Sequence, residues 1–424
     1  MRIWTAVVVL ATVVAVSSPA EATVFSGRVG LSSYLWEGAE PDSTETRHTQ
    51  NTGTLSLRLA RIGGEDLTVS TSMRGRYDVR NAGDNVDDYR VYTLQFKWNN
   101  MFERADLTGG RQRIYWPTST VAIDGGHLAV RPLSKLEISG YYGLTVPDDG
   151  SLRLNEHDDG HAFGARVQVR PMNSMLAFSF AQLNRARNYQ DFEVDNLAYR
   201  RLALDWRRTF PKFGSAYANL SYDMPTQRIN RAHVSLRWQA ASDISINGQF
   251  RYRRPDLYYN SIFWVFGDSR YYEGRLRINY KINDKWTVNA GGALLDLVDE
   301  SATRFDFGVT HRYFNAMVHG KTGYAGATIG VSGQVLYPIN EKWLLRGGTR
   351  FSSYELDEAQ NESNFEVSSW AGVQWRWLEQ SSLDVEAQLL NHDIKTQDDA
   401  YLGGDSEFRL LARVSYWFFK RLDG

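Results

Sequence analysis

Residues 275–295 read RLRINYKINDKWTVNAGGALL, and the reading of this stretch decides the fold. Leu276, Ile278 and Tyr280 alternate with Arg275, Arg277, Asn279 and Lys281. After the polar turn Ile282-Asn283-Asp284-Lys285, Trp286, Val288, Ala290, Gly292 and Leu294 alternate with Thr287, Asn289, Gly291 and Ala293. Side chains on a strand point to opposite faces with period two, so the stretch predicts a hairpin with one oily and one wet face. The oily face meets either the core of a soluble sandwich or lipid.

The chain of 424 residues has a net charge of −1, which gives no bulk electrostatic pull toward nucleic acid. Cysteine is absent, which excludes disulfides, thiolate metal sites and covalent haem attachment. Residues 1–22, MRIWTAVVVLATVVAVSSPAEA, combine Arg2, a short apolar run and an Ala20-Glu21-Ala22 end. That is the layout of a cleaved secretory signal peptide, and the run is shorter than the roughly 20 residues a membrane-spanning helix needs. Residues 23–424 are then expected to form one domain.

From Thr23 to Phe419 the hairpin pattern recurs without a sustained helical period. It divides into about 22 strands, within a range of roughly 20 to 24. They run from 24–35 to 407–419 and include 54–62, 103–115 and 126–131. Many of these strands have the length a tilted strand needs to cross a bilayer, longer than the usual globular strand. Connections alternate short and long. Short ones include 99–103, 131–135, 211–215 and 282–285. Long ones include 37–52, 80–88, 146–160, 187–196, 253–269 and 395–406. Trp98, Trp206, Trp238, Trp286, Trp343, Trp375 and Trp377 fall on the oily parity near the short turns, where an aromatic girdle would lie. The expected fold is all-β: a transmembrane, antiparallel, up-and-down barrel with no plug domain, whose oily face touches lipid.

The final strand, EFRLLARVSYWFF (407–419), keeps Phe408, Leu410, Ala412, Val414, Tyr416 and Phe418 in alternation. With the repeated hairpins and the signal peptide, it resembles the end of a Gram-negative outer-membrane porin-type barrel. Lys420–Gly424 overhang that end, and the family's usual glycine in the assembly signal is missing. The resemblance implies an outer-membrane location, contact with lipid and lipopolysaccharide, and insertion by the barrel assembly machinery. More weakly, size and the lack of a plug are similar to the barrel subunit of a porin–cytochrome conduit. That likeness implies a periplasmic multihaem cytochrome, or another protein, filling the lumen.

The wet parity places a basic set toward the lumen: Arg74, Arg76, Arg111, Arg113, Arg166, Arg170, Arg231, Arg237, Arg251, Arg253, Arg275, Arg277, Arg346, Arg350, Arg376, Arg409 and Arg413. Fewer acids share it, chiefly Glu137, Asp205, Glu273, Asp306, Asp384 and Glu386, while Asp84, Asp87, Asp88, Asp148, Asp149, Asp158 and Asp159 sit in the long connections. A net charge near zero thus conceals a basic wall beneath an acidic mouth, and charge of one sign biases which ions a pore admits. The alternative is that the arginines only lace neighbouring strands together through ion pairs.

So many strands enclose a bore too wide for side chains alone to fill. Loops fold inward, a separate protein fills the lumen, or the pore is wide. The apolar run Ile262, Phe263, Trp264, Val265 and Phe266 is the expected constriction, unless it contacts a partner or belongs to a strand. In GGRQRIYW (109–116), the two glycines invite a bulge after which Arg111 and Arg113 turn inward and Gln112 outward. An anion site at that arginine pair and a structural role at the strand end are the two readings. His157 and His161 lie four apart in a polar loop, a spacing that unites ligands only on a helix. Asp306 and His311 share one strand, with Ser301 nearby, without a specific catalytic spacing. No enzyme activity, metal or cofactor is expected. The leading expectation is a channel for small hydrophilic, preferentially anionic solutes, and the rival is an insulating sheath around a partner.

Overall fold

The computed structural model describes residues 23–39, 45–79, 88–186, 188–189, 192–193, 196–255, 270–297, 300–323, 326–355, 363–393 and 406–422. Its first strands are β1 (Thr23–Ala39), β2 (Glu45–Ala60), β3 (Leu67–Asp78), β4 (Asp88–Met101), β5 (Ala105–Trp116) and β6 (Ser119–Leu133). Next come β7 (Leu136–Thr145), β8 (Gly160–Val169), β9 (Ser174–Arg185) and a short separate ladder of β10 (Asn188–Tyr189) and β11 (Phe192–Glu193). The chain continues through β12 (Leu197–Phe210), β13 (Gly214–Asp223), β14 (Arg228–Gln239), β15 (Ile244–Arg253), β16 (Tyr271–Lys281) and β17 (Trp286–Leu297). It finishes with β18 (Ser301–His311), β19 (Phe314–Gly323), β20 (Ala327–Pro338), β21 (Trp343–Glu355), β22 (Ser363–Leu378), β23 (Ser381–Asp393) and β24 (Ser406–Leu422).

All but β10 and β11 belong to one antiparallel sheet of 22 strands. It closes on itself, because β24 pairs with β1 from Thr23 opposite Leu422 to Trp36 opposite Arg409. Closure removes the edges that hydrocarbon cannot hydrogen-bond. Lys420 and Arg421 do not overhang: they lie opposite Phe25 and Val24 and extend the closing seam. Among the described residues there is no separate plug domain.

The opening hairpin shows why the sheet holds lipid outside. Ile278 stands between Ile246 and Ala290, and Ala290 faces Phe307, so apolar residues meet in rows around the outer surface. Leu276, Ile278 and Tyr280 stay exposed on that surface rather than buried in a core. On the other face, Arg275 and Arg277 reach Asp306 two strands away. The turn below is built by Asn283, whose Oδ1 accepts from the backbone amides of Lys285 and Trp286 at 2.9 and 3.0 Å. INEKW (339–343) repeats the device: Asn340 accepts from Lys342 and Trp343 at 2.8 and 3.0 Å. Both of these turns deliver a tryptophan to the outer rim, and Trp343 and Trp375 stack there with centroids 5.5 Å apart.

Candidate functional site

The expected constriction at Ile262, Phe263, Trp264 and Phe266 lies outside the described residues. A different segment folds inward. Strand β5 pairs with β4 only as far as Arg111, and β6 joins β7 only from Ile123 onward. Between those points the two strands pair with each other alone, from Gln112 opposite Ile123 to Trp116 opposite Ser119. The bend sits on glycines: Gly109 faces Gly126, and Gly110 faces Gly125. Gly110 has φ near +105°, a conformation that side-chain-bearing residues rarely adopt.

The ribbon docks on the inner wall. Ile114, Val121 and Ile123 pack with Tyr141, Ala162, Ala181, Leu183, Ala198 and Tyr199 in one buried apolar cluster. Ala162 and Ala181 share a strand face with the lumenal Arg166 and Ser179, so the contact is inside the barrel. At the tip, Trp116 meets Tyr141 edge-on at 4.9 Å, and Thr118 and Ser119 are almost fully buried. The other face of the ribbon, with Arg113 and Tyr115, looks into the bore, where Tyr115 is 71% exposed. Gln112 therefore points to the wall rather than outward, and is 4% exposed. β6 begins at Ser119 rather than at 126, and the added residues form the returning half of the ribbon.

Arg111 corrects a second expectation. Its guanidinium does not line open water: it is buried against Asp124, with Nε–Oδ1 and Nη2–Oδ2 distances of 2.8 and 2.7 Å. It also donates to the carbonyls of Ser151 and Arg153 at 2.5 and 3.2 Å, which ties the ribbon to the 146–159 connection. That connection caps the edge of β4 that β5 leaves behind, through Val91 N to Gly150 O at 2.9 Å.

The remaining arginines fall into two groups. In the first, acids on the wall are matched. Asp88 takes Arg74, Arg76 and Arg90 at 3.7, 3.6 and 3.0 Å, so it belongs to the start of β4 rather than to the acidic mouth. Arg166 holds Asp205 at 2.9 Å, and Asn219 donates to the same carboxylate at 3.0 Å. Arg170 pairs with Glu137 at 3.2 Å, Arg251 with Glu273 at 3.9 Å, and Arg409 with Glu407 at 2.6 Å. Arg275 and Arg277 share Asp306 at 3.3 and 2.7 Å, while Arg346 bridges Asp384 and Glu386 at 3.6 and 3.2 Å.

In the second group, Arg113, Arg231, Arg237, Arg253, Arg350, Arg376 and Arg413 make no ion pair among the described residues, and neither does Arg207. Several of these lie on one arc. Arg231 stands directly opposite Arg253, and Asn247 is flanked by Arg237 and Arg277. Arg237, Arg275 and Arg277 line a recess of about 520 Å³ with Asn247, Gln249 and Asn279.

The other two candidates differ: Asp306 and His311 separate, whereas the 157–161 loop brings its two histidine rings together without a helix. Asp306 faces the lumen, whereas His311, five residues on, takes the opposite parity and packs on Trp286 at 4.6 Å. The rings of His157 and His161 stack at 4.0 Å, and His161 Nε2 meets Asn184 Nδ2 at 2.7 Å. No cluster of metal-binding residues occurs among the described residues. On the long loops Asp148 pairs with Arg185, and hydrogen bonds from Ser151 hold the Asp149 carboxyl below the usual carboxylate range.

A closed barrel with apolar residues outside, polar residues inside, short turns at one end and longer loops at the other is a porin-type β-barrel of the outer membrane. No protein-family model matches the sequence, and no curated protein does. Among solved structures, the P pilus usher (PapC) translocation pore matches with a TM-score of 0.52 at 9% identity. The match covers 93% of this chain and 99% of that one, and is a likeness of fold alone. OccAB2 of Acinetobacter baumannii matches at 8% identity and a TM-score of 0.45, over 93% of this chain and 98% of that one. A BenF-like porin from Pseudomonas fluorescens Pf-5 matches at 9% identity and 0.44, over 96% and 100%. Scores this low add nothing to the argument from geometry.

Proposed function

We propose that the barrel is an outer-membrane channel that passes small hydrophilic solutes and favours anions. The observation that carries the reading is the cationic arc on β12 and β14–β16. Like charges placed directly across a sheet destabilise it, yet Arg231 and Arg253 face each other without a carboxylate partner among the described residues. A wall that served stability alone would match its arginines, as Asp205 matches Arg166 and Asp306 matches Arg277 nearby. Unmatched guanidiniums raise the local concentration of anions in the water beside them.

The inward ribbon supports a pore over a sheath. It takes up bore space on the β7–β12 side that a lumen-filling protein would need. The test is single-channel recording from the purified barrel in a planar bilayer under a KCl gradient. Stepwise currents with an anion-selective reversal potential are expected, and Arg231→Glu with Arg253→Glu lowers the selectivity. Silence from a correctly folded barrel overturns the reading.

A further inference from the structure

A second lumenal arc differs in kind from the cationic one. On β19–β22 the wall carries Gln334, Arg350, Glu366, Ser368 and Trp370 around a recess of about 380 Å³. Arg350 and Glu366 make no ion pair, with each other or with any other described residue. The Trp370 indole lies close against Gly348, where an added Cβ would lie 2.8 Å from its Nε1 and 2.8 Å from the carbonyl oxygen of Gly333. The missing side chain at Gly348 leaves room for the indole, which lines the recess. The same level of the wall continues across the closing seam. Trp370 stands opposite Gln388, Gln388 opposite Arg409, and Arg409 opposite Trp36. Trp36 stacks with Tyr34 at 5.1 Å and with His48 at 4.9 Å.

We propose that this strip, from the Trp370 indole across Gln388 to the Trp36 stack, is a binding station for oligosaccharides in transit. It rests on the open-lumen reading above and names one class of solute for it. A sugar ring has an apolar C–H face and a rim of hydroxyls that each donate and accept. The face matches the indole that lines the recess, and apolar rings held beside water gain stability when a ligand covers them. The rim matches planar side chains with paired donors or acceptors: the amides of Gln334 and Gln388, the Arg350 guanidinium and the Glu366 carboxylate. The two tryptophans stand three strands apart, about 14 Å at ordinary strand spacing. That separation suits a chain of sugar rings rather than a single one. The recess itself falls within the usual range for small-molecule sites, roughly 300–1,000 Å³.

Calorimetric titration of the folded, detergent-solubilised barrel with maltohexaose, and separately with an oligogalacturonate, tests this without needing current. Saturable binding of either sugar is the expected result. Trp370→Ala weakens it roughly tenfold, and Trp370→Phe, which keeps a ring, retains most of it. Arg275→Glu, on the other arc, leaves sugar binding unchanged while altering ion selectivity. Absence of binding by both sugars, or equal affinity in Trp370→Ala, overturns the station and leaves the channel reading standing. A barrel that binds sugar but carries no current does the reverse.

Discussion

At Gly125 a side chain has nowhere to go. An added Cβ would lie 2.2 Å from the carbonyl oxygen of Tyr142 and 2.4 Å from the Cα of Gly143, both backbone atoms that cannot swing aside. At Gly110 it would lie 2.3 Å from the carbonyl of Leu94. These two residues let the ribbon leave the cylinder, so Gly125→Val is expected to undock it while the barrel still closes. Because the chain contains no cysteine, a single Ser119→Cys reports on this cleanly. Ser119 is 6% exposed, so its thiol is expected to resist maleimide in the parent and react rapidly in Gly125→Val. Equal protection in both, read by mass spectrometry, would show that the bend does not depend on the glycine. Asp124 acts on the same ribbon through charge. Asp124→Asn leaves the Arg111 guanidinium buried without its carboxylate, a change that typically costs on the order of 3–5 kcal/mol. Since Arg111 also binds the carbonyls of Ser151 and Arg153, the loss is expected to loosen the 146–159 loop. Limited proteolysis should then cut that loop faster; an unchanged rate would mean that the backbone contacts hold it without the ion pair.

The β5–β6 ribbon is also the element where sequence and structure part. Most strands follow from period-two alternation, and the short turns follow from sequences such as INDKW and INEKW. Alternation, however, reads the same whether a hairpin continues the cylinder or folds into it, so 103–115 was legible as a strand while its destination was not. The signal lay in two places. Gly109-Gly110 is mirrored by Gly125-Gly126, and the wet parity of β8, β9 and β12 carries Ala162, Gly164, Ala181 and Ala203 where other strands carry arginine or serine. An apolar stripe on a face that should be wet needs a cover, and the ribbon is that cover. The charged wall was legible as a set of arginines but not as two groups, because ion pairing depends on register between strands that are not neighbours in sequence. Arg166 with Asp205 and Arg346 with Asp384 are such cases. Since residues 112–122 make no rung with the rest of the barrel, excising them and joining Arg111 to Ile123 through a Gly-Gly link keeps the cylinder. Single-channel conductance is expected to rise severalfold, with a modest fall in thermal stability from the newly wetted Ala162, Ala181 and Leu183 patch. Unchanged conductance would show that the ribbon does not bound the narrowest part of the path.

For the whole molecule the relevant distance is the reach of the wall's electric field. A barrel of 22 strands has a wide bore, and fixed charges influence water only within a screening length, about 10 Å at 0.1 M salt and about 3 Å at 1 M. A solute held off the wall by more than that length does not feel the arginines. If the cationic arc selects by field, anion preference should be strongest in dilute KCl and fade as both compartments approach about 1 M. Replacing Arg231, Arg237 and Arg253 by Glu should then invert the reversal potential in dilute salt and leave it little changed in concentrated salt. The net charge of −1 hides this behaviour, since it sums a basic inner arc with acids that lie elsewhere on the chain. A preference of constant size across that range would contradict selection by field. It would place selectivity in a narrow contact site where ions shed water against side chains, and the exposed Arg113 and Tyr115 on the inner face of the ribbon are the candidates. Repeating the salt series on the ribbon-excised barrel separates the two: field selection by the arc survives the excision, and contact selection at the ribbon is lost with it.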